Sequence, residues 1–274
     1  MSSGSLNLSR LCVHTMTTKP WSLREAIDGY VRAGVPGITV WRRHLDPLGT
    51  KEAAKMLRDA ELTVVSLCRG GFFPAETHAK RRAAIDDNKR AIDDADAIGA
   101  PLVVLVCGAV PGMPLAEARK QIIDGIAQVL EHAQQAKVKL GIEPLHPMYA
   151  DSRSAVNTLE QANNMVTALQ SAWVGVTLDV YHVWWDPYLQ NEIARAGKSI
   201  FSFHVCDWRV PTRDILNDRA IMGDGCINIP QIRGWVESAG FEGYVEVEIF
   251  SDELWGYEQS DVVERIKRAF VSKT

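Results

Sequence analysis

Short runs of apolar, β-branched residues recur along this chain, each followed by a longer stretch with helical spacing. That alternation decides what it can fold into. The strand candidates are 11–14, 37–41, 63–68, 102–107, 139–143, 175–179, 200–206 and 244–250. Helical patterns fall at 23–33, 50–59, 76–98, 115–135, 155–169, 187–196 and 229–239, and a last one, 261–270, follows the eighth strand. Ser22-Leu23-Arg24-Glu25 has the form of a capping box, and Gly34 and Gly99 stand where helices stop. The strands are continuously apolar rather than half-polar, as strands covered on both faces must be. Eight βα units of about 30 residues predict a closed parallel barrel. The rival is an open doubly wound sheet, which usually carries a Gly-rich phosphate turn after its first strand. Here the first strand ends in His14-Thr15-Met16-Thr17.

No Ser/Gly/Pro tract or charge block divides the 274 residues, so one barrel domain over 1–274 is expected, with 1–7 as a lead-in. A net charge of −4 argues against a nucleic-acid surface, which needs a basic face. No apolar run approaches the ~20 residues of a membrane span. Cys12, Cys68, Cys107, Cys206 and Cys226 lack the spacing of a disulfide or zinc framework and read as free thiols. Together with a start that lacks an apolar secretion core, they point to the cytoplasm.

Barrel chemistry belongs at the C-terminal ends of the strands. Those ends carry His14, Trp41, Cys68 with Arg69, Glu143, Asp179, His204 and Glu248. Strands five to eight thus deliver Glu, Asp, His and Glu to one rim. Three converging carboxylates repel one another in a partly dry site, and a divalent cation removes the conflict. Three oxygens and one imidazole suit Mn²⁺ first, with Mg²⁺ or Co²⁺ as alternatives. The run Val245-Glu246-Val247-Glu248 sends both acids to one face. Glu246 lies one layer deeper than Glu248, as a buried support or as the ligand in its place. The outer position favours Glu248 as the ligand.

The motifs Ile142-Glu143-Pro144, Leu178-Asp179-x-x-His182, His204-x-x-Asp207-x-Arg209 and Gly223-Asp224-Gly225-Cys226-Ile227-Asn228-Ile229 carry a resemblance. With Gly243 ahead of Glu248, they resemble the sugar isomerase/epimerase superfamily built on a xylose-isomerase-like TIM barrel. Ketose 3-epimerases and inosose isomerases and dehydratases are members. The resemblance implies that Glu143, Asp179, His204 and Glu248 bind one divalent metal. It implies that Glu143 and Glu248 act as acid and base, and that His182 and Arg209 touch substrate. The implied reaction is isomerisation or epimerisation of a small keto-sugar or polyol derivative through a metal-stabilised enediolate. Relatives of this kind are often dimers or tetramers, and the segments 181–188 and 208–211 offer an interface to a second subunit.

The chain departs from the epimerase pattern at His146 and along 204–213. A histidine beside the metal suits a base for elimination, so a lyase acting on a 3-keto-glycoside, a C-glycoside or an inosose is the alternative. Three carboxylates and one dication leave the centre near −1, which favours neutral polyols. A phosphate would need Arg69, Arg209 or Arg213. His14 is either a substrate contact or a satisfied core histidine, and Trp41 is a rim aromatic for a sugar face. His44, His78 and His132 read as surface residues, and Asp207 as a support for His204 or Arg209.

Overall fold

The computed structural model describes residues 7–274. The expected lead-in falls almost wholly on residues 1–6, outside the described part. Eight parallel strands close on themselves: β1 Leu11–His14, β2 Gly37–Trp41, β3 Thr63–Gly71, β4 Leu102–Val106, β5 Lys139–Glu143, β6 Val174–Asp179, β7 Ile200–Val205 and β8 Val245–Val247. Each pairs with its neighbour in sequence, and β8 returns to β1 through the register Leu11 to Val245 and Val13 to Val247. The long helices Leu23–Ala33, Thr50–Asp59, His78–Ile98, Leu115–Gln135, Leu159–Leu169, Leu189–Ala196, Ile229–Ser238 and Gln259–Lys273 are separated by those strands.

Local chemistry sets the helix ends. Ser22 Oγ accepts from the Glu25 amide while the Glu25 carboxylate accepts from the Ser22 amide, which is the expected capping box. Gly34 and Gly99 take left-handed backbone with φ of 68° and 77°. Three helices start later than the periodicity predicts, at His78, Leu159 and Leu189. Thr77 and Thr158 accept from Lys80 and Gln161 amides and so begin their helices at His78 and Leu159. Inward residues such as Ile122, Ile126, Val129 and Ala133 of the fourth long helix, Leu115–Gln135, pack on the outside of the barrel. No described helix is long and apolar enough to cross a membrane.

Two departures from the sequence pattern bear on function. The β8 ladder ends at Val247, and Glu248 lies one residue beyond it, its amide donating to the Val205 carbonyl. After β7 the chain forms a two-residue antiparallel ribbon, Asp207–Trp208 with Arg219–Ala220. That ribbon brings residue 219 back to the centre of the rim. His44 is buried rather than on the surface, with Nδ1 3.2 Å from Thr15 Oγ1.

Candidate metal centre and substrate pocket

The register between strands explains why four side chains meet. Asp179 pairs with His204 across β6 and β7, and Val106 pairs with Glu143 across β4 and β5. Glu143, Asp179, His204 and Glu248 each offer a ligand atom, all within 4.8 Å of one another, and all four residues are buried. His204 Nδ1 stands 3.5 Å from Glu143 Oε1 and 3.9 Å from Glu248 Oε2. Glu143 Oε1 and both ring nitrogens of His204 lack a hydrogen-bond partner among the described residues. Buried polar atoms are rarely left so, because each orphan costs about 1–3 kcal/mol. A divalent cation among oxygen and imidazole donors would satisfy Glu143 Oε1 and His204 Nδ1 together, whereas Nε2 faces Glu246 at 3.7 Å.

Two other groupings, His14-His204-Glu246 and His14-Cys68-Glu248, are equally compact. The first is disfavoured because Glu246 is already satisfied. Its Oε2 accepts from Thr39 at 2.6 Å and Ser66 at 2.9 Å, and its Oε1 from Ser202. The second has its histidine committed elsewhere. His14 Nε2 lies 3.2 Å from Glu246 Oε2, and Nδ1 lies 3.1 Å from Glu248 Oε1. The Trp41 indole nitrogen is 3.3 Å from the same Nδ1, which cannot both accept from Trp41 and donate to Glu248. The carboxylate charge gives Glu248 precedence. Glu246 lies under the cluster, 3.7 Å from His204 Nε2, and leaves Nδ1 to face Glu143, Asp179 and Glu248. His14 is wholly buried beneath Glu248 and does not face the cavity.

The ion-free electrostatics show how strongly the cluster wants positive charge. Burial lifts the Asp179 carboxyl to about 7, against the nearby Arg219 guanidinium. Burial alone would lower His204, yet the Glu246, Glu143 and Glu248 carboxylates push it up to about 10. Glu246 resists burial and drops to about 2 through His204 and His14. Asp179 and Glu248 share one guanidinium; Glu248 also has His14, so the ionised form favours Glu248.

Arg219 is the residue the sequence reading missed. Its Nη1 donates to Asp179 Oδ2 and Glu248 Oε2, both at 2.9 Å, and its Nη2 lies 3.2 Å from His182 Nε2. Tyr181 and Phe250 flank the guanidinium at 4.3 and 5.0 Å from their ring centres. Only 4% of Arg219 is exposed. Its signal in the sequence is an arginine opening an apolar run, Arg219-Ala220-Ile221-Met222, just before Gly-Asp-Gly. Asp207 fixes that loop, accepting from the Gly223 amide at 2.8 Å and the Trp208 and Ile227 amides at 2.9 Å, rather than orienting His204 or Arg209. A Cβ at Gly225 would sit 2.4 Å from Asp207 Oδ1, so the turn there excludes a side chain.

The other site candidates divide. His182 is buried in the centre, its pKa held well below the ordinary value by burial and by Arg219. Trp41 walls both the central cavity and a wider pocket at the rim. Arg209 turns away from the centre to Asp218 and Glu253, at 3.1 and 3.5 Å. Arg213 pairs with the same two acids. His146 does not line the cavity. Its Nδ1 accepts from the Met148 amide at 3.2 Å, capping the turn Pro147–Tyr149, and its ring lies 5.0 Å from that of Trp208.

The central cavity is about 20 Å³, walled by Glu143, Tyr149, Arg153, His182, Arg219 and Glu248 among others. That holds about one water-sized body, not a sugar. Leu216 closes it from the loop 209–218, whose Ile215 carbonyl accepts from the Tyr149 hydroxyl. The rim pocket beside it measures about 460 Å³ and is lined by Trp41, Arg42, Arg43, Cys68, Arg69 and Phe72 among others. A volume of that order suits a small-molecule ligand. Cys68 Sγ lies within 4.8 Å of side-chain atoms of His14 and Glu248, so the pocket abuts the acid–histidine cluster.

A closed parallel barrel with a buried acid–histidine cluster at its C-terminal rim defines a TIM-barrel enzyme with a metal-type site. The chain belongs to the xylose isomerase-like TIM barrel family, whose model matches residues 27–269. It is 29% identical over 203 residues to the inosose isomerase of Halalkalibacterium halodurans, covering 72% of this chain and 69% of that protein. It is 24% identical to the 3-dehydroshikimate dehydratase of Pseudomonas aeruginosa, over 84% of this chain and 36% of that protein. Among solved structures it resembles protein SMc04130 of Sinorhizobium meliloti 1021, with 45% identity, a TM-score of 0.95 and coverage of 97% and 99%. The IOLI protein, solved with a bound zinc atom, shares the fold with a TM-score of 0.85 at 22% identity, over 96% and 97%.

Proposed function

We propose that this enzyme moves a proton beside the carbonyl of a small keto-sugar or polyol derivative, as an isomerase or epimerase dependent on one divalent cation. The observation that carries the reading is the convergence of Glu143, Asp179, His204 and Glu248 within 4.8 Å, with Glu143 Oε1 and His204 Nδ1 left without a hydrogen-bond partner. Those four residues would hold the cation, Mn²⁺ first among Mn²⁺, Mg²⁺ and Co²⁺, although the zinc in the IOLI protein keeps Zn²⁺ in the comparison. When bound, the cation supplies a Lewis acid for the carbonyl and neighbouring hydroxyl oxygens.

The chain's own groups divide the remaining work. Glu143 and Glu248 come from strand ends on separate parts of the rim, so one takes the proton and the other returns it. Arg219 and His182 reach the same cavity. The guanidinium donates to whichever oxygen gains negative charge, in surroundings where water is excluded. Tyr181 and Phe250 hold the guanidinium plane. Trp41 offers its face to the ligand's carbon skeleton. Leu216 and Tyr149 cover the centre against water, and the loop 209–218 must shift for ligand to enter.

The test is solvent deuterium exchange into keto-sugars with the Mn²⁺-loaded protein. Exchange at the carbon beside the carbonyl, abolished by chelation and by Glu143→Gln, is the expected result; full exchange in metal-free protein contradicts it.

The dehydratase relative favours a second outcome of the same proton removal, in which a leaving group departs. His146 serves that reading only if its ring turns from the Met148 amide into the cavity. His146→Ala must then harm elimination more than metal binding. A dimer or tetramer is in keeping with the exposed Tyr188 and Val210 at the rim. The free thiols, four of them buried, fit a reducing compartment such as the cytoplasm.

A further inference from the structure

The metal centre leaves two arginines at the barrel mouth unused. Arg69 follows Cys68 in β3, and Arg153 lies on the loop after β5. Neither has an acid within ion-pairing distance among the described residues, whereas neighbouring Arg42 is held by Asp87 at 3.0 Å and Asp94 at 3.2 Å. The Arg69 guanidinium lies 4.2 Å from the centre of the Phe72 ring, and that of Arg153 lies 5.8 Å from the Tyr149 ring. Phe72 packs on the small apolar cluster that contains Tyr149, so each end of one aromatic patch carries a cation. The placement is rigid on the Arg153 side. Its amide donates to the Tyr149 carbonyl and its carbonyl accepts from the Gly108 amide, both at 2.9 Å. Burial and the Arg153 charge both lower the Arg69 pKa, so the two guanidiniums feel each other.

Two half-buried like charges without an acid are costly, and an anion between them removes the cost. Arg69 lines the 460 Å³ rim pocket, Arg153 lines the central cavity, and Trp41 is common to both. The charge at the centre does not oppose an anion. Three carboxylates, one dication and Arg219 sum to zero, where the ligands and cation alone leave −1.

We infer that the substrate carries an anionic substituent, a carboxylate or a phosphate, which docks between Arg69 and Arg153 while its carbonyl end reaches Glu143 and Glu248. This rests on the proton-transfer reading of the same site. It replaces the expectation of a neutral polyol with an acidic or phosphorylated keto-sugar.

The experiment is calorimetric binding to the Mn²⁺-loaded full chain of three matched ligands: D-fructose, D-fructose 6-phosphate and 5-keto-D-gluconate. At least one anion is expected to bind about tenfold tighter than D-fructose, a preference that shrinks as salt rises. The stronger of the two identifies phosphate or carboxylate. The ratio should fall below about twofold in Arg69→Ala/Arg153→Ala and recover partly with Arg69→Lys in an otherwise native chain, because a point charge replaces a fork. Circular dichroism checks the fold, and single Arg69→Gln serves if the double variant does not fold. D-fructose binding as tightly as both anions, no measurable binding of either anion, or a preference that survives the arginine variants overturns the inference. Deuterium exchange run on the same ligands separates the two readings. Anion preference without exchange removes proton transfer and leaves the anion site standing; exchange on D-fructose without anion preference does the reverse.

Discussion

The two halves of the barrel are built from the same strand–helix unit but carry opposite charge at the rim. Glu143 and Asp179 end β5 and β6, His204 is the last residue but one of β7 and Glu248 follows β8, and the four are gathered within 4.8 Å. Strand β2 ends in Trp41, with Arg42 and Arg43 after it, and the last residues of β3 include Cys68 and Arg69, around a pocket of about 460 Å³. One half concentrates acids that are unstable together without a cation, and the other offers room and positive charge. The difference teaches that, under the proposed function, proton transfer and ligand recognition fall on separate parts of the rim. Arg219, carried across by the ribbon after β7, and Arg153 are where they meet.

That division can be broken from either side. Glu143→Gln should lower exchange or turnover by about 10²–10⁴-fold, because in the proposed function it would remove both a metal ligand and an acid–base group. Its ligand binding at the rim should change far less. A steady-state comparison of kcat with KM checks this, and equal losses in both would merge the two halves. Arg219→Ala comes next, with an expected loss of about 10²–10³-fold in kcat. It should also lower the Tm of metal-free protein more than that of metal-loaded protein, since the guanidinium stands in for positive charge between Asp179 and Glu248. A scan of both forms by calorimetry decides it.

How much of this was legible follows from where each residue sits. The four acid–histidine positions were readable because each lies within one residue of the end of an apolar strand, where parity and barrel topology fix direction. Glu246 was readable as a support for the same reason: its neighbours Ser202, Thr39 and Ser66 are small hydroxyl residues on facing strands. Arg219 was not, because its place depends on a loop folding back through a two-residue ribbon, which no period records. Arg209, ten positions earlier, has the same chemistry and lies nearer the strand in sequence, yet Asp218 and Glu253 hold it outside. His146 follows the β5 strand end closely enough to suggest the cavity, but the turn that starts at Pro147 takes its ring as a cap. His44 lies in a helical turn with two arginines before it, and periodicity over four residues is too short to show that it turns inward.

His44 supplies the smallest prediction, on the recognition side of the barrel. Burial and Arg43 lower its pKa to about 4, so the folded state favours neutral imidazole. Its contribution to stability is complete above the unfolded value near 6.5 and is lost as pH falls from there to about 4. His44→Gln should flatten the fall in stability across that window by on the order of 2 kcal/mol relative to the parent protein. Urea titrations at paired pH values measure it, and an unchanged slope would place a protonated His44 in the fold.

The central claim, that four side chains from β5 to β8 hold one divalent cation, is met most directly by counting metal. Chelator-stripped protein is incubated with Mn²⁺, passed through a desalting column and analysed for metal per chain. The account predicts about one ion in the parent protein and loss of it in Asp179→Asn/His204→Gln, with the barrel's circular dichroism retained. Metal retained at full stoichiometry by that variant, or absent from the parent protein, would contradict it.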